Sequence, residues 1–232
     1  MEYQRFHEFE SVISYKFSDV KLLIQALTHS SYANENNLKK IDNNERLEFL
    51  GDAVLEIVTS DYLYRKYPKQ LEGELTKFRA SVVCEPTLAE FAKEIDLGDY
   101  LLLGKGEDSS GGRNRDSVLS DSVEALIGSI YIDGGIEPAK EFIESTLLLD
   151  VEERKRFVDS KTHLQEYIQQ LSDIPIEYIV ISETGPDHNK SFTVHVTHEL
   201  ETIGEGIGRS KKSAEQRAAF DALKRIKISK EV

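Results

Sequence analysis

The chain has one cysteine, Cys84, and five prolines among 232 residues. No apolar run approaches the ~20 residues that a membrane span needs, so no membrane partner is expected. A lone cysteine excludes an intramolecular disulfide and any cysteine-rich zinc site. It fits a buried thiol in a reducing cytoplasm, which sets the expected location. The opening stretch, MEYQRFHEFE, is charged and has no apolar signal core, so no secretion signal is expected. Positive charge is also scarce: 29 Lys and Arg stand against 42 Asp and Glu, a net of −13. Taken alone, that balance argues against a polyanionic partner. The six histidines form no HExxH pattern, there is no GxSxG elbow, and Cys84 has no histidine near it in sequence. Gly104-Lys105-Gly106 and Gly111-Gly112 follow no strand and lack P-loop spacing, so no nucleotide cofactor is expected.

The acidity is unevenly placed. Residues 159–232 carry 10 basic and 12 acidic side chains, which leaves 19 and 30 on the first 158 residues. The first part reads helical nearly throughout. Val20 to Thr28 shows apolar residues at helical spacing, and a long helix is predicted from about Asn44 to Tyr64, stopping before Pro68. Asp42 and Asn43 are its candidate caps, with Glu45 completing a capping box. Leu71–Cys84, Thr87–Ile95, Ser117–Tyr131 and Pro138–Leu148 are further predicted helices. Leu103–Arg115 reads as a flexible polar loop and Asp133-Gly134-Gly135 as a turn.

After Val158 the pattern changes. Lys161–Leu171 is a predicted helix. Ile176–Ser182 and Ser191–Thr197 alternate with a period near two, and Thr202–Arg209 is a third strand, punctuated by glycine. Ser210–Ile226 closes the chain with Ala214, Ala218, Ala219 and Ala222 on an apolar face. The expected fold is therefore α+β: an all-helical domain over 1–148, a charged connector over 149–158 and an α-β-β-β-α domain over 159–232.

Two acidic stripes stand out in the helical part. At about 100° per residue, Glu45, Glu48 and Asp52 fall within roughly 60° of one another. Leu47, Leu50 and Val54 lie across the helix from them. Gly51 inside this helix costs about 1 kcal/mol against alanine, which points to a neighbouring helix in close approach. In the segment SDSVEAL, Asp121 and Glu124 are i, i+3 neighbours. Acids on the polar face of a helix ordinarily just solvate it. Here neither stripe holds a lysine, and like charges at i, i+4 mildly oppose helix formation. A hard divalent cation would offset that repulsion, and oxygen-only ligands suit Mg²⁺ or Mn²⁺. The apolar side chains of the same helix, Phe49, Leu50, Val54, Leu55, Ile57 and Val58, suit an interface and a core equally well.

Asn44–Leu55 (NERLEFLGDAVL) closely resembles the signature of the ribonuclease III family of double-strand-specific RNA endonucleases. Ala26–Tyr32 (ALTHSSY), Leu71-Glu72-Gly73 and Ser120–Gly128 (SDSVEALIG) resemble its other nuclease motifs, in the same order. Residues 159–227 resemble a double-stranded-RNA-binding domain, with GPDHNKSF from Gly185 and GRSKKSAEQRAA from Gly208. The resemblance covers nearly the whole chain. It implies Glu48, Asp121 and Glu124 as ligands of Mg²⁺, with Mn²⁺ a possible substitute. It implies Asp52 and Glu124 as catalytic, and Glu45 and Glu72 as further acids of the catalytic valley near a dimer interface; Glu74 has no counterpart and is read as surface. It also implies a homodimer whose subunits each cut one strand. The expected products have 5′-phosphate and 3′-hydroxyl ends and short 3′ overhangs. The expected substrates are ribosomal RNA precursors and some messengers.

In the second domain, Gln165 and Glu166 would face one minor groove of an A-form duplex and His188 the next. Ser210, Lys211 and Lys212 would span the phosphates between them. His29 is read as structural, and Arg113 and Arg115 as backbone contacts. The competing reading is a duplex-RNA-binding regulator whose acidic domain only dimerises.

Overall fold

Helix α9 (Asp116–Gly134) is apolar on almost every side, so it can only lie inside other helices. Val118, Leu119, Val123, Leu126, Ile127 and Ile130 are all buried on it. In the computed structural model it is the axis of the first of two compact units, Met1–Val151 and Glu152–Val232. The structure describes residues 4–149, 160–172, 174–185, 190–208 and 210–228. The connector expected over 149–158 lies outside these residues except for Leu149, and His188 lies outside them too.

Around α9 the first unit places α1 (Gln4–Val12), α2 (Val20–Ala26), α3 (Ser30–Glu35), α4 (Glu45–Lys66), α5 (Glu72–Val83), α6 (Glu85–Glu94), α7 (Leu97–Tyr100), α8 (Lys105–Ser109), a 3₁₀ turn (Gly112–Asn114) and α10 (Ile136–Ser145). No strand occurs in this unit among the described residues. Phe9, Leu23, Leu27, Leu55, Leu63, Leu88 and Leu126 are among the side chains that fill its core.

Three details depart from the sequence reading. The capping box at α4 does not form: Asp42 accepts the Lys39 N–H at 3.2 Å, and it is Asn43 whose side chain accepts the Glu45 N–H, at 3.3 Å. The polar loop 103–115 is built of short helical turns. Its arginines hold it together: Arg113 donates to Asp108 at 2.8 Å and to the Gly98 and Leu101 carbonyls at 2.9 and 2.8 Å. Arg115 donates to Glu107 at 2.5 Å. Both guanidinium groups thus bond within the protein. Third, α9 runs on through Gly134 and stops at Gly135, whose φ of 87° is open to glycine and strained for other residues.

The second unit is α11 (Ser160–Gln169), β1 (Glu177–Thr184), β2 (Ser191–His198), β3 (Glu201–Gly208) and α12 (Lys211–Ile228). The strands form one antiparallel sheet in the order β1-β2-β3, with Ile179 opposite His195 and Val194 opposite Gly206. Phe192, Val194 and Val196 point from β2 into a small core with Leu164, Ile168, Ala214, Ala218 and Ala222. The glycines of β3 have a packing reason. A Cβ on Gly204 would lie 2.4 Å from the Ala218 carbonyl, and one on Gly206 would lie 2.2 Å from that of Ala214. Bare backbone therefore meets an alanine face, and α12 lies almost directly on the strand.

Candidate active site

The site begins with two glycines. A Cβ on Gly51 of α4 would stand 1.8 Å from the Glu124 carbonyl oxygen of α9, and one on Gly128 of α9 would stand 2.2 Å from the Leu47 carbonyl. The two backbones are therefore in contact at this crossing. Glu48 and Asp52 flank Gly51 on one helix, and Asp121 and Glu124 precede Gly128 on the other. Close approach of the helices makes the two acidic stripes one cluster.

Glu48, Asp121 and Glu124 each offer a carboxylate oxygen within 4.8 Å of the other two. All three are half-buried. Loss of water, followed by the charges of Asp121, Glu45 and Asp52, pushes the Glu48 carboxyl up to about 7. Burial, then the charges of Asp52, Asp121 and Glu48, pushes Glu124 up to about 8. Asp121 is raised by burial and by Glu85, while a hydrogen bond from Ser120 and the proximity of His29 pull it down. These are carboxylates packed together with no lysine or arginine among the groups that shift them. A divalent cation relieves that strain, and a set of oxygen donors with no nitrogen or sulfur suits a hard ion. The residues present therefore fit such an ion.

The remaining sequence candidates divide. Asp52 is exposed beside the cluster and acts on both Glu48 and Glu124 through its charge. Glu45, exposed at the start of α4, acts on Glu48. Glu72 opens α5, where its carboxylate accepts the Thr76 hydroxyl at 2.9 Å, and no described interaction joins it to the cluster. Glu74 caps α5 by accepting the Leu71 N–H at 3.0 Å. Two further residues act on Asp121 through their charge: Glu85, which the sequence did not single out, and His29, which was read as structural. Glu85 gives no local signal, since an acid at a helix start followed by proline reads as an ordinary helix beginning. His29 lies in the ALTHSSY stretch but far from either stripe along the chain.

In the second unit Gln165 and Glu166 are exposed side by side on α11. Ser210 is exposed and its hydroxyl accepts the Ser213 N–H at 3.2 Å, so it caps α12. Lys211 and Lys212 follow in the first turn, both exposed and without an acidic partner among the described residues. The ammonium of Lys211 stands 5.9 Å from the ring centre of Phe192.

Residues 19–151 match the Ribonuclease-III-like family and residues 160–226 the double-stranded RNA binding motif. Ribonuclease 3 of Streptococcus pneumoniae strain CGSP14 is 52% identical over 212 residues, 90% of this chain and 91% of the relative. Ribonuclease 3 of Listeria welshimeri is 47% identical over 224 residues, 96% and 98% of the two chains. The solved nuclease domain of ribonuclease III from Campylobacter jejuni superposes with a TM-score of 0.55 at 43% identity, covering 64% of this chain and 96% of that one. Fold and relatives together define an endoribonuclease with a double-stranded-RNA-binding domain. The chain belongs to the ribonuclease III family.

Proposed function

We propose that this endonuclease hydrolyses phosphodiesters of duplex RNA with a divalent cation, Mg²⁺ or in its place Mn²⁺, and leaves 5′-phosphate and 3′-hydroxyl ends with short 3′ overhangs. The observation that carries the reading is the three-carboxylate cluster at the crossing of α4 and α9. Glu48, Asp121 and Glu124 hold the ion. When bound, the cation supplies the positive charge that lets an anionic phosphodiester approach and that stabilises the charge building on it in the transition state. Asp52, exposed beside these ligands, orients the attacking water and takes its proton on a carboxylate oxygen. Glu45 and Glu72 line the outer part of the valley.

The working form is a homodimer. Phe49 is 82% and Ile57 60% exposed on α4, so the core does not account for them. With Tyr64, also exposed, they recur every seven or eight residues, about two turns, along one side of the helix. The nuclease domain from Campylobacter jejuni is described with a region involved in dimer formation. A dimer offers two clusters to the two strands and gives Glu72 a place in the valley. The enzyme works in the cytoplasm on ribosomal RNA precursors and some messengers. The domains divide the work, 1–148 cutting and 159–232 holding the duplex, joined through 149–158.

In the second domain Gln165 and Glu166 meet one minor groove, His188 the next, and Ser210, Lys211 and Lys212 the phosphates between. Replacing Lys211 and Lys212 together by alanine is expected to weaken duplex binding. The slope of log affinity against log salt should flatten by about one unit per lysine. An unchanged slope would show that neither touches phosphate. Incubating the protein with one perfect duplex, in Mg²⁺ or in EDTA, tests the whole reading. Cutting in Mg²⁺ alone, with 5′ ends that ligate without prior phosphorylation, is the expected result. Binding without cutting in either condition would favour a duplex-binding regulator instead.

A further inference from the structure

Residues 159–232 carry more acids than bases, 12 against 10. A surface that takes phosphate can exist there only where the acids are tied up elsewhere. Glu215 is the acid that matters most, because it sits one turn beyond Lys211 and Lys212 on α12. Residues three and four apart on a helix are neighbours, with Cβ atoms about 5–6 Å apart. Glu215 is at i, i+4 from Lys211 and at i, i+3 from Lys212, so its carboxylate could pair with either. Such a pair would have to break before that lysine could meet phosphate.

The structure holds the carboxylate elsewhere. Glu215 Oε2 lies 2.6 Å from the ammonium of Lys161 on α11. Two further contacts fix Lys161 in place. Its ammonium stands 4.5 Å from the ring centre of Tyr178 on β1, so an aromatic face holds the cation as well. Ser160, the residue before it, is fully buried, and its hydroxyl donates to the Gln216 carbonyl of α12 at 3.2 Å. Adjacent residues of α11 thus bond adjacent residues of α12. Lys161 and Glu215 are both partly buried, and salt screens such a pair less than it screens exposed charges.

We propose that Lys161 is a positioning residue for duplex binding. It draws the Glu215 carboxylate across to α11 and so leaves Lys211 and Lys212 open to phosphate. Lys161 itself need not touch RNA; its effect runs through Glu215. The inference rests on the reading of Lys211 and Lys212 as phosphate contacts, so its test includes a control on that reading.

Five full-length proteins separate the possibilities: wild type, Lys161→Met, Glu215→Gln, the two changes combined, and Lys211→Ala with Lys212→Ala. Affinity for one duplex RNA is measured in Ca²⁺ at low salt, alongside thermal melting and steady-state cleavage in Mg²⁺. Methionine keeps an unbranched stem over Tyr178 and removes the charge. Lys161→Met is expected to bind about 2–5-fold more weakly, the worth of one exposed ion pair that must break on binding. Its KM should rise with little change in kcat. Glu215→Gln alone is expected to bind close to wild type. Added to Lys161→Met, the same change should restore binding, so that the two substitutions are not additive. A loss that persists in the combined variant would overturn the proposal, since a direct phosphate contact by Lys161 would behave that way. If Lys161→Met binds as wild type does while the double alanine variant is weak, the Lys161 role is overturned and the phosphate contacts stand. If the double alanine variant binds as wild type does, the phosphate reading fails and the Lys161 role fails with it. If Lys161→Met and the combined variant melt equally low and bind equally weakly, the pair only holds the two helices together.

Discussion

Gly51→Ala is expected to lower the melting temperature by about 6–12 °C, the shift that roughly 3 kcal/mol produces in a chain of this size. In an isolated helix the same change would gain about 1 kcal/mol, because alanine is the better helix former. Packing reverses the sign. The new methyl would stand 1.8 Å from the Glu124 carbonyl oxygen and 2.6 Å from its carbon. Both are backbone atoms inside a helix and cannot swing aside as the end of a side chain can. The two helices must separate, and the cluster is divided between them. Activity is therefore expected to fall further than stability. Even at temperatures where the variant is fully folded, its Mg²⁺ requirement should rise. Gly73→Ala is the matched control: a Cβ there meets nothing within 4 Å. It should melt at or slightly above wild type. Paired melting and cleavage measurements check both. A Gly51→Ala protein as stable as wild type would mean that the helices do not cross as closely as described.

The same glycine shows what the sequence could tell. A glycine in the middle of a strong helical pattern is locally unfavourable, so a close neighbour could be inferred from Gly51 alone. Which helix approached could not, because no local pattern links Gly51 to Gly128. The acidic stripes were legible for a similar reason, since helical period places Glu45, Glu48 and Asp52 together without reference to the rest of the fold. That the Asp121 and Glu124 stripe would join them depends on the crossing of α4 and α9. Only the resemblance to a known family supplied that link beforehand.

In the second unit the alanines of α12 and the glycines of β3 were both visible. Their meaning appears only when the two are laid face to face, where each small residue makes room for the other. Errors came where side chains compete for the same backbone donor. Asp42 and Asn43 were both plausible caps, and the backbone path from Lys39 gave Asp42 a different partner. The loop 103–115 looked flexible because its glycines and polar residues promise no packing. Its order comes from Arg113 and Arg115 reaching across it, at spacings no short-range rule anticipates. His29 and Glu85 belong to the same group: their charges act on Asp121 only through the fold.

Glu124→Gln is expected to abolish cleavage and, in the absence of a divalent ion, to make the protein more stable. The loss of activity should be at least about 10²–10³-fold, the scale on which removing one electrostatic stabiliser of a transition state acts. Duplex binding in Ca²⁺ should stay near wild type, because the second unit carries most of it. The gain in stability follows from the crowded charges. Glu124 and Glu48 titrate near 8 and 7 in the folded protein, both above the ordinary 4.5. Between pH 4.5 and those values the folded state holds protons that the unfolded state has released. Stability therefore falls as pH rises across that window. In EDTA, wild type should melt higher at about pH 6 than at about pH 8. Glutamine keeps the shape of the side chain without its charge, so the variant should lose part of this slope. Its advantage over wild type should grow with pH up to about 8. Saturating Mg²⁺ acts in the same direction on wild type, since binding to the folded state alone raises its stability. It should do little for the variant, which lacks one ligand. Melting curves of both proteins at several pH values, with EDTA and with Mg²⁺, decide the matter. A variant less stable than wild type at pH 8 in EDTA would mean that Glu124 is held by favourable contacts. The carboxylates would then not be a cluster kept under strain for an ion to relieve.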